Sequence, residues 1–69
     1  MQEKSYKVIA LVGAAEPSME DAIQHAITRA DQTLKNLDWF EVLEARGLIQ
    51  AGKVSQYQVK LKVGFRLLP

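Results

Sequence analysis

Cysteine is absent from this 69-residue chain, and histidine occurs only once, as His25. These absences exclude a disulfide framework and a zinc site built from cysteine and histidine. A chain this short buries only about 60% of the surface that its unfolded form exposes, so its own core is small. With those two devices excluded, we expect oligomerisation to stabilise the fold. The lack of cysteine also fits a cytoplasmic protein.

The chain also lacks an excess of charge and a long apolar run. Its formal net charge is +1, although charged residues make up 25% of it, so nucleic acid is not the expected partner. No segment approaches the roughly 20 apolar residues that span a bilayer. The first residues, MQEKSYK, contain no apolar stretch typical of a secretory signal. The sequence therefore predicts a soluble, cytoplasmic protein that binds neither nucleic acid nor membrane.

The first half of the chain contains the patterns of one strand and one helix. The segment YKVIALVG is rich in β-branched and aliphatic residues, and it predicts a strand from Ser5 to Val12. From Met19 to Leu37 apolar residues recur with the spacing of one helix face. Ser18 precedes Asp21 by three positions, an acidic variant of the capping box, and is the expected N-cap.

Two further strands are predicted, from Asp38 to Ile49 and from Val54 to Leu67, with a hairpin turn at Gln50 to Lys53 between them. The helix makes the first two strands parallel, and the hairpin makes the third antiparallel to the second. A right-handed crossover leaves space for the third strand between the other two. We therefore predict an α+β fold, β-α-β-β, with sheet order 1-3-2 partly wrapped around one helix, as a single domain of residues 1–69.

The sheet face that this helix leaves uncovered is polar on the third strand. Strict alternation places the following residues on that face: Gln56, Gln58, Lys60, Lys62, Gly64 and Arg66. On the second strand, Glu41 suggests that the odd-numbered residues, including Trp39, share the polar face, so that Phe40 enters the core beneath the helix. Glu44 fits this assignment only if a bulge or the strand end shifts the alternation.

Trp39, the single tryptophan, is the unusual residue of the uncovered face. An indole is too large and apolar to face water without a partner. One interpretation is an aromatic residue at the edge of the core or at a subunit interface. The other is a stacking platform for a planar ligand, with Gln58 beside it as donor and acceptor for an amide-like ring edge. No general acid, general base or nucleophile for substrate chemistry is identifiable, so no enzyme is predicted.

Four segments carry a family resemblance: YKVIALVG, AIQHAITRADQTLKNLDWFEV, the pair Arg46–Gly47, and YQVKLKVGFRL. Together they extend over most of residues 6–67, and they resemble the bacterial dodecins, a family of small flavin-binding proteins. The resemblance implies a β-α-β-β chain that assembles into a hollow homododecamer. It also implies that the chain binds FMN, or riboflavin or FAD, and it raises coenzyme A as a further ligand.

The resemblance also implies roles for individual residues. Trp39 matches the tryptophan whose indole stacks on the flavin ring, Gln58 the glutamine that hydrogen-bonds its pyrimidine edge, and Arg46 an arginine near the flavin phosphate. Three residues fall at positions that look like coenzyme A contacts: Lys4, Tyr6 and Arg66. The implied function is flavin storage with quenching of photoreactivity. The alternative is a structural or coenzyme A-binding oligomer of the same fold without a flavin role.

Overall fold

The computed structural model describes residues 4–68. Along the chain it contains β1 (Ser5–Ala15), α1 (Met19–Asp31), β2 (Leu37–Gln50) and β3 (Lys53–Leu67). Strand β3 lies in the middle of the sheet and pairs antiparallel with both β1 and β2. The predicted β-α-β-β order and the sheet order 1-3-2 are therefore confirmed.

Helix α1 begins as predicted but ends earlier. The Ser18 hydroxyl oxygen accepts a hydrogen bond from the Asp21 backbone N–H at 3.0 Å, which confirms Ser18 as the N-cap. The helix ends at Asp31, so the prediction that it reaches Leu37 was wrong. Asn36 adopts a left-handed conformation with φ of 64°, which asparagine tolerates better than most residues. This change of direction places Leu37 in β2.

The strands are longer than the sequence pattern predicted. Strand β1 continues past Val12 to Ala15, and β2 and β3 each extend into the predicted turn. The turn itself contains only Ala51 and Gly52, whose φ values are 52° and 76°. Two left-handed residues match the twist of a two-residue hairpin, so the turn shortens and both strands gain a residue.

The core lies between α1 and the inner surfaces of β1 and β3. Within residues 4–68, the six buried apolar residues come from the helix and the central strand: Ala22, Ala26, Ala30, Val59, Leu61 and Val63. Gly13 of β1 lies directly beneath α1, where a Cβ would overlap the carbonyl oxygen of Ala22. Small residues on both sides therefore let the helix approach β1 and β3 closely, and α1 packs mainly on these two strands.

Strand β2 is an edge strand that α1 hardly covers. Every β2 residue after Leu37 is exposed. Phe40 pairs with buried Val63, so its ring lies on the helix side as predicted, but it stays 47% exposed and outside the core cluster. The prediction that Phe40 enters the core was therefore wrong for a single chain. A long edge strand with exposed aromatic residues is a surface that another chain would cover.

Candidate functional site

The sheet surface opposite α1, which we call the open face, carries the predicted site residues. Residues directly opposite each other in an antiparallel pair point to the same side of the sheet. On the polar side of β3, Gly64 pairs with Trp39, and Gln58 pairs with Arg46. Trp39 therefore lies on the open face, as the alternation predicted.

A β-bulge at Leu43 explains the side chain that broke the predicted alternation. The β2–β3 register shifts between Val42 and Glu44, so Leu43 has no direct partner. Glu44 consequently pairs with Lys60 and returns to the open face. The bulge also brings Arg46 to this face, which an unbroken period of two would have placed on the same side as Phe40.

The indole of Trp39 lies directly over the backbone of Gly64. A Cβ at position 64 would overlap the indole atoms Cδ2, Cε2 and Cζ2. Glycine therefore lets the ring contact β3, while 40% of Trp39 remains exposed. The result is an indole supported from below by the sheet and accessible to a stacking partner from outside.

Tyr6 of β1 flanks this indole. The two ring centroids are 6.1 Å apart and the ring planes are tilted by 55°. The Tyr6 hydroxyl donates a hydrogen bond to Asp38 Oδ2 at 2.9 Å. Tyr6 itself pairs with Arg66, so this bond links the two outer strands across β3. We call Tyr6, Asp38, Trp39, Gly64 and Arg66 the aromatic corner.

The hydrogen bond to Asp38 raises the pKa of Tyr6 above its usual value near 10.0. Desolvation of the phenol and the negative charge of Asp38 act in the same direction, and the positive charge of Arg66 opposes them. Because the folded state favours the protonated phenol, the contribution to stability is present below the unfolded-state pKa and is lost as pH rises through the raised value.

We expect Asp38→Asn, titrated in a Tyr57→Phe background, to lower the midpoint of tyrosinate absorbance. An unchanged midpoint would contradict the assigned hydrogen bond.

A polar cluster lies further along β2 and β3. Arg46 Nη2 donates to Glu44 Oε2 at 2.8 Å, and Arg46 Nη1 donates to Gln58 Oε1 at 3.4 Å. Gln58 Nε2 in turn donates to Gln56 Oε1 at 3.0 Å. The Arg46 and Glu44 side chains are 45% and 57% exposed, so their ion pair is weak and its partners can exchange for a ligand.

The indole and the polar cluster are too far apart to contact one ring within a single chain. Trp39 lies opposite Gly64, whereas Gln58 lies six positions earlier on β3. At ~3.3 Å per residue the two positions are about 20 Å apart. The interpretation that Gln58 lies beside the indole was therefore wrong for one chain. A site that uses both residues requires Trp39 of one chain and Gln58 of another.

The three expected coenzyme A positions lie at or near the aromatic corner. Tyr6 and Arg66 are direct neighbours across β1 and β3, and Lys4 is exposed just before β1. Within residues 4–68, Arg66 Nε is a buried atom without a hydrogen-bond partner. Asp38 and Gly64 were not predicted as site residues. The signal for Gly64 was a glycine within an otherwise strictly alternating strand.

A membrane-spanning helix and a metal-binding cluster are both absent from the part of the chain that the structure describes. Residues 4–68 contain no helix long and apolar enough to cross a membrane. They also contain no group of three or more histidine, aspartate or glutamate residues placed to bind a metal ion. The fold and the open face define a small β-α-β-β protein with an exposed indole on an uncovered sheet.

Comparison with known proteins identifies the family. The family model described as Dodecin matches residues 5–68. The chain is 56% identical over 64 residues to the dodecin of Thermus thermophilus, covering 93% of each. It is 34% identical over 65 residues to the calcium dodecin of Mycobacterium tuberculosis, covering 93% of this chain and 90% of that protein.

Solved structures agree with this comparison. The dodecin structure from Streptomyces coelicolor superposes with a TM-score of 0.92 at 46% identity, covering 100% of this chain and 99% of that one. The structure of the tt0972 protein from Thermus thermophilus gives a TM-score of 0.92 at 54% identity, covering 97% and 98%. The chain belongs to the dodecin family, whose members are non-catalytic binding proteins and typically dodecamers.

Proposed function

We propose that this protein stores a flavin, FMN or else riboflavin or FAD, by stacking the flavin ring on Trp39 at an interface between subunits of a homododecamer. The observation that carries the proposal is the indole over Gly64, supported on one side and exposed on the other. Stacking of a nucleobase on an aromatic side chain contributes about 1–3 kcal/mol, and the flavin ring system is larger than a base. Membership in a family of binding proteins supports the same function.

The polar cluster supplies the groups that would bind the ring edge and the phosphate. The Gln58 carboxamide offers one acceptor and two donors to the pyrimidine edge of the flavin. The Arg46 guanidinium suits the FMN phosphate. Since both lie about 20 Å along the strand from Trp39, they belong to a neighbouring subunit at the same flavin. The residues present therefore fit a flavin shared between two chains.

The proposed chemistry is protection of the flavin. A bound flavin supplies a light-excited state that readily accepts an electron. Trp39, stacked on the ring, would donate that electron and so shorten the lifetime of the excited state. The shorter lifetime would limit the formation of reactive oxygen species, so the stored flavin would be less photoreactive.

The absorbance spectrum of the purified protein tests this proposal. We expect the near-ultraviolet and blue absorption bands of a flavin, or their appearance when FMN is added to flavin-free protein. The fluorescence of added FMN should fall as it binds. A colourless protein that neither takes up FMN nor changes its fluorescence would contradict flavin storage.

Arg46→Ala tests the phosphate contact. We expect FMN to bind about ten- to hundredfold more weakly, because a charge-assisted hydrogen bond contributes about 1.5–3 kcal/mol. Riboflavin has no phosphate, so its affinity should stay unchanged. Arg29→Ala is the matched control, since Arg29 lies in the last turn of α1, away from the open face. Equal losses of affinity for FMN and for riboflavin in Arg46→Ala would show that Arg46 does not bind the phosphate.

Coenzyme A binding without a flavin role is the second candidate function. The partly buried Arg66, whose Nε has no partner within residues 4–68, favours an anionic ligand near Lys4 and Tyr6. Calorimetric titration of coenzyme A into wild type and Arg66→Ala measures this directly. Binding that depends on Arg66, in a protein that binds no flavin, would favour the second candidate.

A further inference from the structure

We propose that Tyr6 and Asp38 form a proton-coupled electron relay that restores Trp39 after its indole has lost an electron. The relay rests on the proposed function for its physiological oxidant, which is an excited flavin. The relay groups themselves belong to the aromatic corner of one chain. They can therefore be tested in flavin-free protein.

The geometry provides both transfers that such a relay needs. The Tyr6 and Trp39 ring centroids are 6.1 Å apart, so an electron passes between rings close to contact. The phenol already donates its proton in a 2.9 Å hydrogen bond to Asp38 Oδ2. A phenol loses an electron much more readily when a base accepts its proton in the same step. Asp38 provides that base without any movement of the backbone.

The step balances in charge and in atoms. The indole radical cation of Trp39 accepts one electron from Tyr6, while the phenolic proton moves to Asp38 Oδ2. The products are a neutral indole, a neutral phenoxyl radical on Tyr6 and a protonated Asp38. The positive charge on the indole and the negative charge on the carboxylate disappear together. When the electron returns from the reduced acceptor, Tyr6 recovers its proton from Asp38.

The consequence is protection of the tryptophan itself. An indole radical cation that persists is open to irreversible oxidation, which would destroy the stacking surface. Transfer of the oxidising equivalent to Tyr6 removes it from Trp39. Tyr57, the other tyrosine, pairs with Gly47 and Ala15 on the helix side, far along β3, so it is not placed for this role.

Pulse radiolysis of the flavin-free protein tests the relay. Azide radicals oxidise indoles selectively, and the absorbance of the indole radical and of the phenoxyl radical can be followed separately. In wild type we expect the indole radical to decay as the phenoxyl radical grows, with a first-order rate independent of protein concentration. Tyr6→Phe should abolish that growth. Asp38→Asn keeps an acceptor but removes the base, and should slow it by at least about tenfold, ~1.4 kcal/mol in the barrier.

Tyr57→Phe is the matched control and should keep the wild-type rate. Phenoxyl growth that persists in Tyr6→Phe, or that vanishes in Tyr57→Phe, would overturn the relay. An unchanged rate in Asp38→Asn would overturn its proton-coupled form. Circular dichroism and light scattering establish that each variant folds and assembles. The relay and the proposed function can fail separately. Phenoxyl growth in a protein that neither binds FMN nor quenches its fluorescence would support the relay and refute flavin storage. Quenching of FMN without phenoxyl formation would support flavin storage and refute the relay.

Discussion

Replacing Trp39 with alanine is expected to weaken FMN binding about ten- to hundredfold and to restore most of the fluorescence of any flavin that still binds. Stacking on an aromatic ring contributes about 1–3 kcal/mol, and each ~1.4 kcal/mol is a tenfold change in Kd. The fluorescence returns because the electron donor is removed together with the surface. Fluorescence titration of FMN into variant and wild-type oligomers of equal size measures both effects.

Two further variants separate stacking from electron donation. Trp39→Phe keeps an aromatic surface but is a poorer electron donor, so we expect it to quench less while losing less affinity than the alanine variant. Phe40→Leu removes an aromatic ring from the same strand on the opposite side of the sheet, and should leave FMN affinity unchanged. If Trp39→Ala bound and quenched FMN like wild type, the stacking surface would lie elsewhere.

Local patterns in the sequence predicted the order of the helix and strands and the side of the sheet on which most residues lie. The period of two in β3 correctly assigned buried Leu61 to the helix side and Gln58 to the open face. The position of Trp39 on the open face followed from Glu41, and the bulge needed to accommodate Glu44 is present. These features depend on neighbouring residues only, which is why a single sequence determines them.

Other features depend on packing between distant parts of the chain, and these predictions were wrong. Leu34 and Leu37 continue the helical period, but α1 ends at Asp31 and Asn36 redirects the chain. Phe40 has the correct side but not the burial, because α1 lies over β1 and β3 and not over β2. Alternation likewise reveals which face a residue occupies but not its separation from other residues on that face.

The separation between Trp39 and Gln58 makes the candidate site a property of the assembly. In the proposed site, each chain would contribute Trp39 to one flavin and Gln58 to another, since the two residues lie about 20 Å apart on one face. Only contact between chains brings an indole and a carboxamide to the same ring. The proposed assembly would therefore serve two purposes, since it would also cover the exposed edge strand β2. The pairing register, and not the composition, reveals this requirement.

Gly64→Ala is expected to displace the indole, weaken FMN binding at least about tenfold and destabilise the fold by roughly 1–3 kcal/mol. An added Cβ would overlap the ring of Trp39, and overpacking at a fixed site costs energy of this size. A glycine-to-alanine change without such an overlap would stabilise the chain slightly, by about 0.4–1 kcal/mol. The overlap with the indole should therefore determine whether Gly64→Ala lowers or raises the free energy of unfolding. Tryptophan emission should shift to longer wavelength as the displaced indole meets more water.

Gly47→Ala provides the matched control for this prediction. It makes the same chemical change within the same sheet, but its new Cβ would approach nothing closer than Val54 Cγ1 at 3.5 Å. Neither glycine has a positive φ, so backbone strain does not distinguish them. We expect Gly47→Ala to keep wild-type emission and FMN affinity and to raise the free energy of unfolding slightly, by about 0.4–1 kcal/mol. In Trp39→Phe the smaller ring should reduce the cost of Gly64→Ala, a non-additivity that a double-mutant cycle measures. If the stability changes of the two substitutions were strictly additive, Gly64 would act independently of the ring above it.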